Sequence, residues 1–179
     1  WDAPSVLARA RQATGELQGP VVGTVMSNLG LELALKGLGV AFLRAAVGDR
    51  HVLQMLRTHG GVLGGEASGH LLCLDKTTTG DGLIVALQVL AVMKATGKTL
   101  AELAAGMSRF PQQLINVRVT KRFDAAREPS VASAIAEVEK SLGTRGRVVL
   151  RASGTEPLIR VMVEGEDAVC SHGRNPAGR

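Results

Sequence analysis

Between residues 21 and 74, short apolar runs alternate with amphipathic stretches, and glycine punctuates the joins. Val21 to Met26 follows Gly-Pro and is rich in β-branched residues, which predicts a buried strand. Ser27 or Asn28 then caps a helix reaching about Lys36, closed by Gly37 and Gly39. Val40 to Ala46 reads as a second strand and 49–59 as a second helix, broken by Gly60-Gly61. A third strand follows around Val62 and Leu63. A β-α-β-α-β order with short connections leaves few topologies open. It requires a parallel or mixed sheet with helices on its faces.

The flanking segments extend this pattern. A short helix is expected over 5–14, and a strand over 71–74 follows a glycine-rich loop at 64–70. Thr79 or Asp81 caps a helix over 82–96, and Thr99 with Glu102 forms the capping pattern of another short helix. The run Leu83 to Ala95, interrupted by Gln88 and Lys94, is too short to cross a bilayer and predicts a buried helix. Beyond Gln112 the order changes to strand, helix, strand, strand. The helix begins at Pro129-Ser130 and sets Val131, Ile135, Val138 and Leu142 on one face.

The expected fold class is therefore α/β. A mixed-sheet α/β domain occupies 1–108, and a small α+β domain with an antiparallel sheet occupies 109–167. Residues 168–179 are small, polar and basic without an apolar period, and are expected to be disordered. The chain has no Tyr, one Trp and three Phe, so its cores must be aliphatic and no stacking platform for bases exists. A net charge of +5 is spread out and forms no continuous basic stripe, which argues against nucleic acid. Two cysteines, Cys73 and Cys170, make no disulfide framework, and no signal peptide or membrane span is visible. The expected location is cytoplasmic, with no membrane partner.

Two loops carry chemistry. Arg151-Ala152-Ser153-Gly154-Thr155-Glu156-Pro157 lies between two strands. Arg151 can grip phosphate oxygens through parallel charge-assisted bonds, and Ser153 and Thr155 donate hydroxyl hydrogens. Gly154 frees the backbone to point N–H groups inward as an anion nest. An ordinary hairpin turn satisfying its own backbone fits the spacing equally well. In the second loop, Glu66, Ser68 and His70 alternate, and in extended backbone they share one side, where they can address hydroxyl groups. A glycine-rich turn with a satisfied histidine is the competing reading. Arg50, at a strand-to-helix junction, is a weaker candidate, while Thr77 to Gly82 reads as a helix cap and not as a phosphate loop. No Ser/His/Asp or Cys/His set assembles.

In this order, Gly65-Glu66-Ala67-Ser68-Gly69-His70 and Arg151-Ala-Ser-Gly-Thr-Glu-Pro resemble the sugar and phosphate loops of the α-D-phosphohexomutase superfamily. The likeness extends through 22–35, 47–50, 74–83, 110–119 and 145–167, and is closest to the bacterial branch acting on glucosamine phosphates. It implies the third domain and a truncated fourth domain of a four-domain enzyme. That enzyme converts glucosamine 6-phosphate to glucosamine 1-phosphate through a phosphoserine and a 1,6-bisphosphate, on the route to UDP-N-acetylglucosamine. By resemblance, Glu66, Ser68 and His70 bind the sugar, and Arg151, Ser153, Gly154 and Thr155 hold the phosphate. The family's phosphoserine loop, Thr-Ala-Ser-His-Asn-Pro-like, and its Mg²⁺ loop, Asp-Gly-Asp-x-Asp-Arg-like, do not occur in this sequence. No catalytic or metal residue is therefore assigned.

The implied partners are a glucosamine phosphate and the missing N-terminal domains of the same enzyme. Ala67 stands where the family often carries a larger or polar residue, and AVCSHGRNPAGR stands where a final helix is expected. The competing functions are a non-catalytic phosphosugar-binding module and part of a related mutase for mannose or glucose phosphates.

Overall fold

The computed structural model describes residues 3–120, 125–154 and 156–166. The chain divides into two compact units, Trp1–Arg109 and Phe110–Arg179. The expectation of a disordered tail at 168–179 lies outside the described residues.

The first unit runs α1 (Ala3–Thr14), β1 (Val21–Thr24), α2 (Leu29–Gly37), β2 (Phe42–Ala45), α3 (Asp49–His59), β3 (Leu63–Gly65), β4 (Leu71–Cys73), α4 (Gly82–Thr96) and α5 (Leu100–Ala104). Its sheet has the order β2-β1-β3-β4. β1 pairs in parallel with β2 and β3, and β3 pairs antiparallel with β4. The sheet is thus mixed, one of the two arrangements that the rhythm of the sequence left open.

Strand alternation sends neighbouring side chains to opposite faces. Val21, Leu63, Leu71 and Cys73 join Leu7 and Ala8 of α1 and Leu31 and Leu35 of α2 in one aliphatic core. Val22, Ala45 and Leu72 join Val52 and Leu56 of α3 in another. α3 is amphipathic along its length, and its buried residues, Val52 and Leu56, are the ones that meet the second core.

Local chemistry fixes the helix starts. The Asn28 side chain accepts from the Gly30 N–H at 3.0 Å, satisfying a donor that α2 leaves unpaired. The Asp81 side chain accepts from the N–H groups of Leu83 and Ile84 at 2.8 and 3.1 Å. Thr99 and Glu102 form a reciprocal capping box at α5. Hydrogen bonds from Thr99 hold the Glu102 carboxyl below its ordinary pKa.

One expectation fails. α4 spans 82–96 as its pattern requires, yet none of its residues is buried. Val85, Val89 and Val92 pack against the first core. On the other side Leu83, Leu87 and Leu90 are 79%, 59% and 55% exposed. Composition measured how apolar the helix is, not how many of its sides this chain covers.

The second unit runs β5 (Gln112–Arg118), a 3-10 turn (Ala125–Arg127), α6 (Pro129–Leu142), a second 3-10 turn (Gly143–Arg145), β6 (Gly146–Ala152) and β7 (Leu158–Gly165). Its antiparallel sheet has the order β5-β7-β6. Leu142 is buried at the end of α6, and Met162 and Ile159 are buried on β7. β5 is exposed along its whole length. The row Gln112, Glu164, Arg147 crosses all three strands. There the fully buried Glu164 carboxylate accepts from Gln112 Nε2 at 2.6 Å and pairs with Arg147.

Candidate functional site

In the first unit, the two loops that follow the parallel strands β2 and β3 meet through a single carboxylate. Glu66 Oε1 accepts from the Gly48 backbone N–H at 2.7 Å, and its side chain is 11% exposed. Gly48 precedes α3 with φ 124°, a conformation that side-chain-bearing residues rarely adopt. The same bend leads into Arg50, whose guanidinium is exposed and donates from Nε to His51 Nε2 at 3.2 Å.

Residues 66–70 form the turn of the β3–β4 hairpin, where the Glu66 N–H donates to the His70 carbonyl at 2.9 Å. This corrects the extended-backbone reading of the loop, because five residues closing a hairpin cannot alternate sides. Glu66 turns inward toward Gly48, while Ser68 and His70 remain exposed. His70 Nδ1 nevertheless lies 4.0 Å from Glu66 Oε2. The result is one held carboxylate with an imidazole 4.0 Å away, and an exposed Ser68 hydroxyl on the same turn. Such a set can accept from and donate to sugar hydroxyls.

A Gly48→Ala variant tests the anchor. Forcing a side chain into this φ region costs about 1–3 kcal/mol, and the new Cβ would lie 3.3 Å from His51 Cδ2. The expected result is a urea midpoint lowered accordingly, with backbone amide shifts of 66–70 displaced in the NMR spectrum. A spectrum unchanged at 66–70 would show that the anchor does not hold the loop.

In the second unit, Arg151 and Ala152 belong to β6, so the turn itself begins at Ser153. Register places Arg151 directly opposite Arg160 on β7. Like charges facing each other across a strand pair destabilise it. Burial first, and then the Arg160 charge, lower the pKa of the Arg151 guanidinium below its ordinary value. The buried Nε atoms of Arg151 and Arg160 have no hydrogen-bond partner among the described residues. Arg160 Nη2 reaches Glu156 Oε2 at 3.6 Å.

Ser153 is buried, its N–H donates to the Leu158 carbonyl at 2.8 Å, and its Oγ accepts from the Glu156 N–H at 3.3 Å. Its hydroxyl hydrogen remains available to donate. Gly154 is not in the left-handed region, and a Cβ there would meet nothing within 4 Å. Thr155 lies outside the described residues.

Arg160 was missed in the sequence. It became legible only once the turn was bounded, because a hairpin turning between Ala152 and Leu158 sets 151 against 160. The other candidates resolve more simply. Asp81 caps α4 and is no anion site. Burial raises the pKa of the Cys73 thiol, against the opposing pull of Arg11, so the thiol is a poor nucleophile. Among the described residues no group of three or more His, Cys, Asp and Glu side chains could hold a metal ion. The described residues therefore do not fit a resident Mg²⁺. No described helix is long and apolar enough to cross a membrane.

Comparison with known proteins decides the family. Residues 4–110 match the model of phosphoglucomutase/phosphomannomutase α/β/α domain III, and 114–169 match that of the C-terminal domain. The chain belongs to the phosphoglucomutase/phosphomannomutase family. Phosphoglucosamine mutase of Methylococcus capsulatus is 61% identical over 162 residues, which is 90% of this chain and 36% of the relative. That of Alkalilimnicola ehrlichii is 59% identical over the same shares. The chain thus spans little more than a third of these curated relatives. A crystal structure of N-acetylglucosamine-phosphate mutase in its substrate complex matches with TM-score 0.78 over 92% of this chain and 40% of its own, at 20% identity. The Aspergillus fumigatus N-acetylphosphoglucosamine mutase, in complex with GlcNAc-6P and magnesium, matches with TM-score 0.72 at 22% identity over 92% of this chain and 40% of its own. At such identities these likenesses speak for the fold alone. Both units of this family member have the architecture expected from its sequence.

Proposed function

We propose that this chain supplies the phosphosugar-holding portion of a phosphoglucosamine mutase and performs no phosphoryl transfer by itself. The observation that carries the proposal is the Arg151–Arg160 pair. Two guanidinium groups facing each other with buried, unpartnered Nε atoms are unfavourable alone. A dianionic phosphate between them would neutralise the repulsion and accept from both. In this reading Arg151, Arg160, Ser153, Gly154 and Thr155 address the phosphate. Glu66, Ser68 and His70 address sugar hydroxyls, with Glu66 kept in place by Gly48. The open space at Gly154 suits close approach of a ligand to the backbone.

The relatives at 59–61% identity favour glucosamine phosphate over mannose or glucose phosphate as the sugar. The reaction of the whole enzyme, glucosamine 6-phosphate to glucosamine 1-phosphate with Mg²⁺, then needs the remaining domains. The phosphoryl-donating serine loop has no counterpart in this sequence. Positioning a substrate cannot replace the group that donates the phosphoryl. Purified chain is therefore expected to show no interconversion of the two glucosamine phosphates, with or without Mg²⁺ and a bisphosphate primer. A coupled assay detecting turnover above that of an Arg151→Ala control would overturn the division of labour proposed here. A non-catalytic phosphosugar-binding module describes the isolated chain equally, and differs only in whether further domains complete it.

A further inference from the structure

Register sets Asn116, Arg160 and Arg151 in one row across β5, β7 and β6. Two residues along, Arg118 stands opposite Leu158, and Ser153 extends that row by donating its N–H to the Leu158 carbonyl at 2.8 Å. Alternate residues of a strand share a face, so both rows lie on the same side of the sheet. The row between them, Val117, Ile159 and Ala152, points to the other side and is wholly apolar. So is the next row on that side, Ile115, Val161 and Leu150. Three guanidinium groups, an amide and a hydroxyl thus share one face, and its reverse is aliphatic. The edge strand β5 is also tied to the turn that follows β6, because the Val119 N–H donates to the Pro157 carbonyl at 3.0 Å. Arg118 and Asn116 are exposed, and among the described residues neither side chain has a hydrogen-bond or ion-pair partner.

We propose that Arg118 is a third guanidinium of the phosphate site, reaching in from β5, with the Asn116 amide beside it as a further donor. This assignment deepens the reading of Arg151 and Arg160 as phosphate-binding and rests on it. Register makes the reach short. The Leu158 carbonyl bonds toward β6, so the backbone groups of Arg160 also point toward β6. Asn116 and Arg160 are therefore a non-hydrogen-bonded pair, the kind in which facing side chains come closest. Arg118 is the diagonal neighbour of Arg160, about 7–8 Å away, a separation that long side chains span. Charge selects a phosphate over a sugar hydroxyl as the target. Against the three guanidinium groups stands the Glu156 carboxylate, 3.6 Å from Arg160 Nη2. Two positive charges remain in excess, which a phosphate dianion matches. Arg151 and Arg160 address the anion from β6 and β7, and Arg118 adds a charge-assisted contact from the β5 side.

NMR titration of the full chain with inorganic phosphate, and separately with glucosamine 6-phosphate, tests this. In the wild type the Arg118 Nε–Hε resonance is expected to shift together with that of Arg151 and with the same midpoint. Arg118→Ala should weaken both ligands by about fivefold to twentyfold, because a charge-assisted contact is lost. Arg118→Lys should recover part of this, keeping the charge but not the fork. Asn116→Ala should cost less, about twofold to threefold, as a neutral donor is removed. Arg118 is exposed on an edge strand, so circular dichroism and the urea midpoint should stay unchanged. If Arg118→Ala binds like wild type while Arg151→Ala does not, the assignment of Arg118 is overturned and the two-arginine site stands. Binding that survives both substitutions removes the whole site from this sheet, Arg118 with it. An Arg118 resonance that stays still while Arg151 saturates also overturns the assignment, and needs no variant to fold.

Discussion

The Arg151→Ala variant is expected to lose all detectable binding of glucosamine 6-phosphate while remaining at least as stable as the wild type. The isolated chain should bind phosphosugars at about millimolar affinity, because it spans only a third of its relatives and carries few polar contacts. A charge-assisted, forked contact contributes about 3 kcal/mol, roughly two orders of magnitude in affinity. Its removal takes binding beyond the reach of an NMR titration. Stability should move the other way, since alanine relieves the charge opposition between Arg151 and Arg160 on neighbouring strands. That opposite sign separates a lost ligand contact from a damaged fold. Arg151→Lys keeps the charge but not the planar fork, so only part of the affinity should return. Arg160→Ala should weaken phosphate and phosphosugar alike. Glu66→Ala should instead reduce the preference for glucosamine 6-phosphate over inorganic phosphate, because a carboxylate addresses hydroxyls and repels the anion. Wild-type binding by a folded Arg151→Ala chain would remove the phosphate site from this strand pair.

The largest effect on stability is expected from Glu164→Ala. Glu164 is fully buried, bonded to Gln112 from one neighbouring strand and paired with Arg147 from the other. Removing it takes a fully buried carboxylate out of its bonds to both neighbouring strands, and breaking such a buried pair costs about 3–5 kcal/mol. A unit as small as Phe110–Arg179 rarely holds more stability than that in its core. The expected result is an unfolded second unit beside a first unit that keeps its hydrogen-exchange protection. The double variant Glu164→Leu with Arg147→Met removes both charges and should recover most of the loss. A Glu164→Ala chain whose β6 and β7 amides stay protected would show that the polar row contributes little.

The helices were legible because their ends are local chemistry. Asn28, Asp81 and the Thr99–Glu102 pair each satisfy N–H groups within three residues, so a short window of sequence contains the whole interaction. Val21 and Val22, adjacent on β1, were readable as a strand buried on both faces, and they do enter different cores. The candidate site was legible as residue types but not as geometry. Glu66, Ser68 and His70 were singled out as a set, yet the hairpin turn separates the inward carboxylate from the two exposed groups. Glu66 meets Gly48 across 18 positions, a distance no periodicity measures.

By itself, then, the sequence determined the order of elements, the capping of α2, α4 and α5, a parallel or mixed first sheet and an antiparallel second one, and the two loops that bear the family likeness. All of these follow from neighbours along the chain or from which faces must be apolar. Tertiary structure alone decided that Arg160 confronts Arg151, that Glu164 is buried between Gln112 and Arg147, and that Gly48 holds Glu66. It alone decided that one side of α4 is left uncovered. The physical reason is the same in each case. Propensity and periodicity describe what a segment can bury or bond, whereas strand register and packing select the distant partner that meets it.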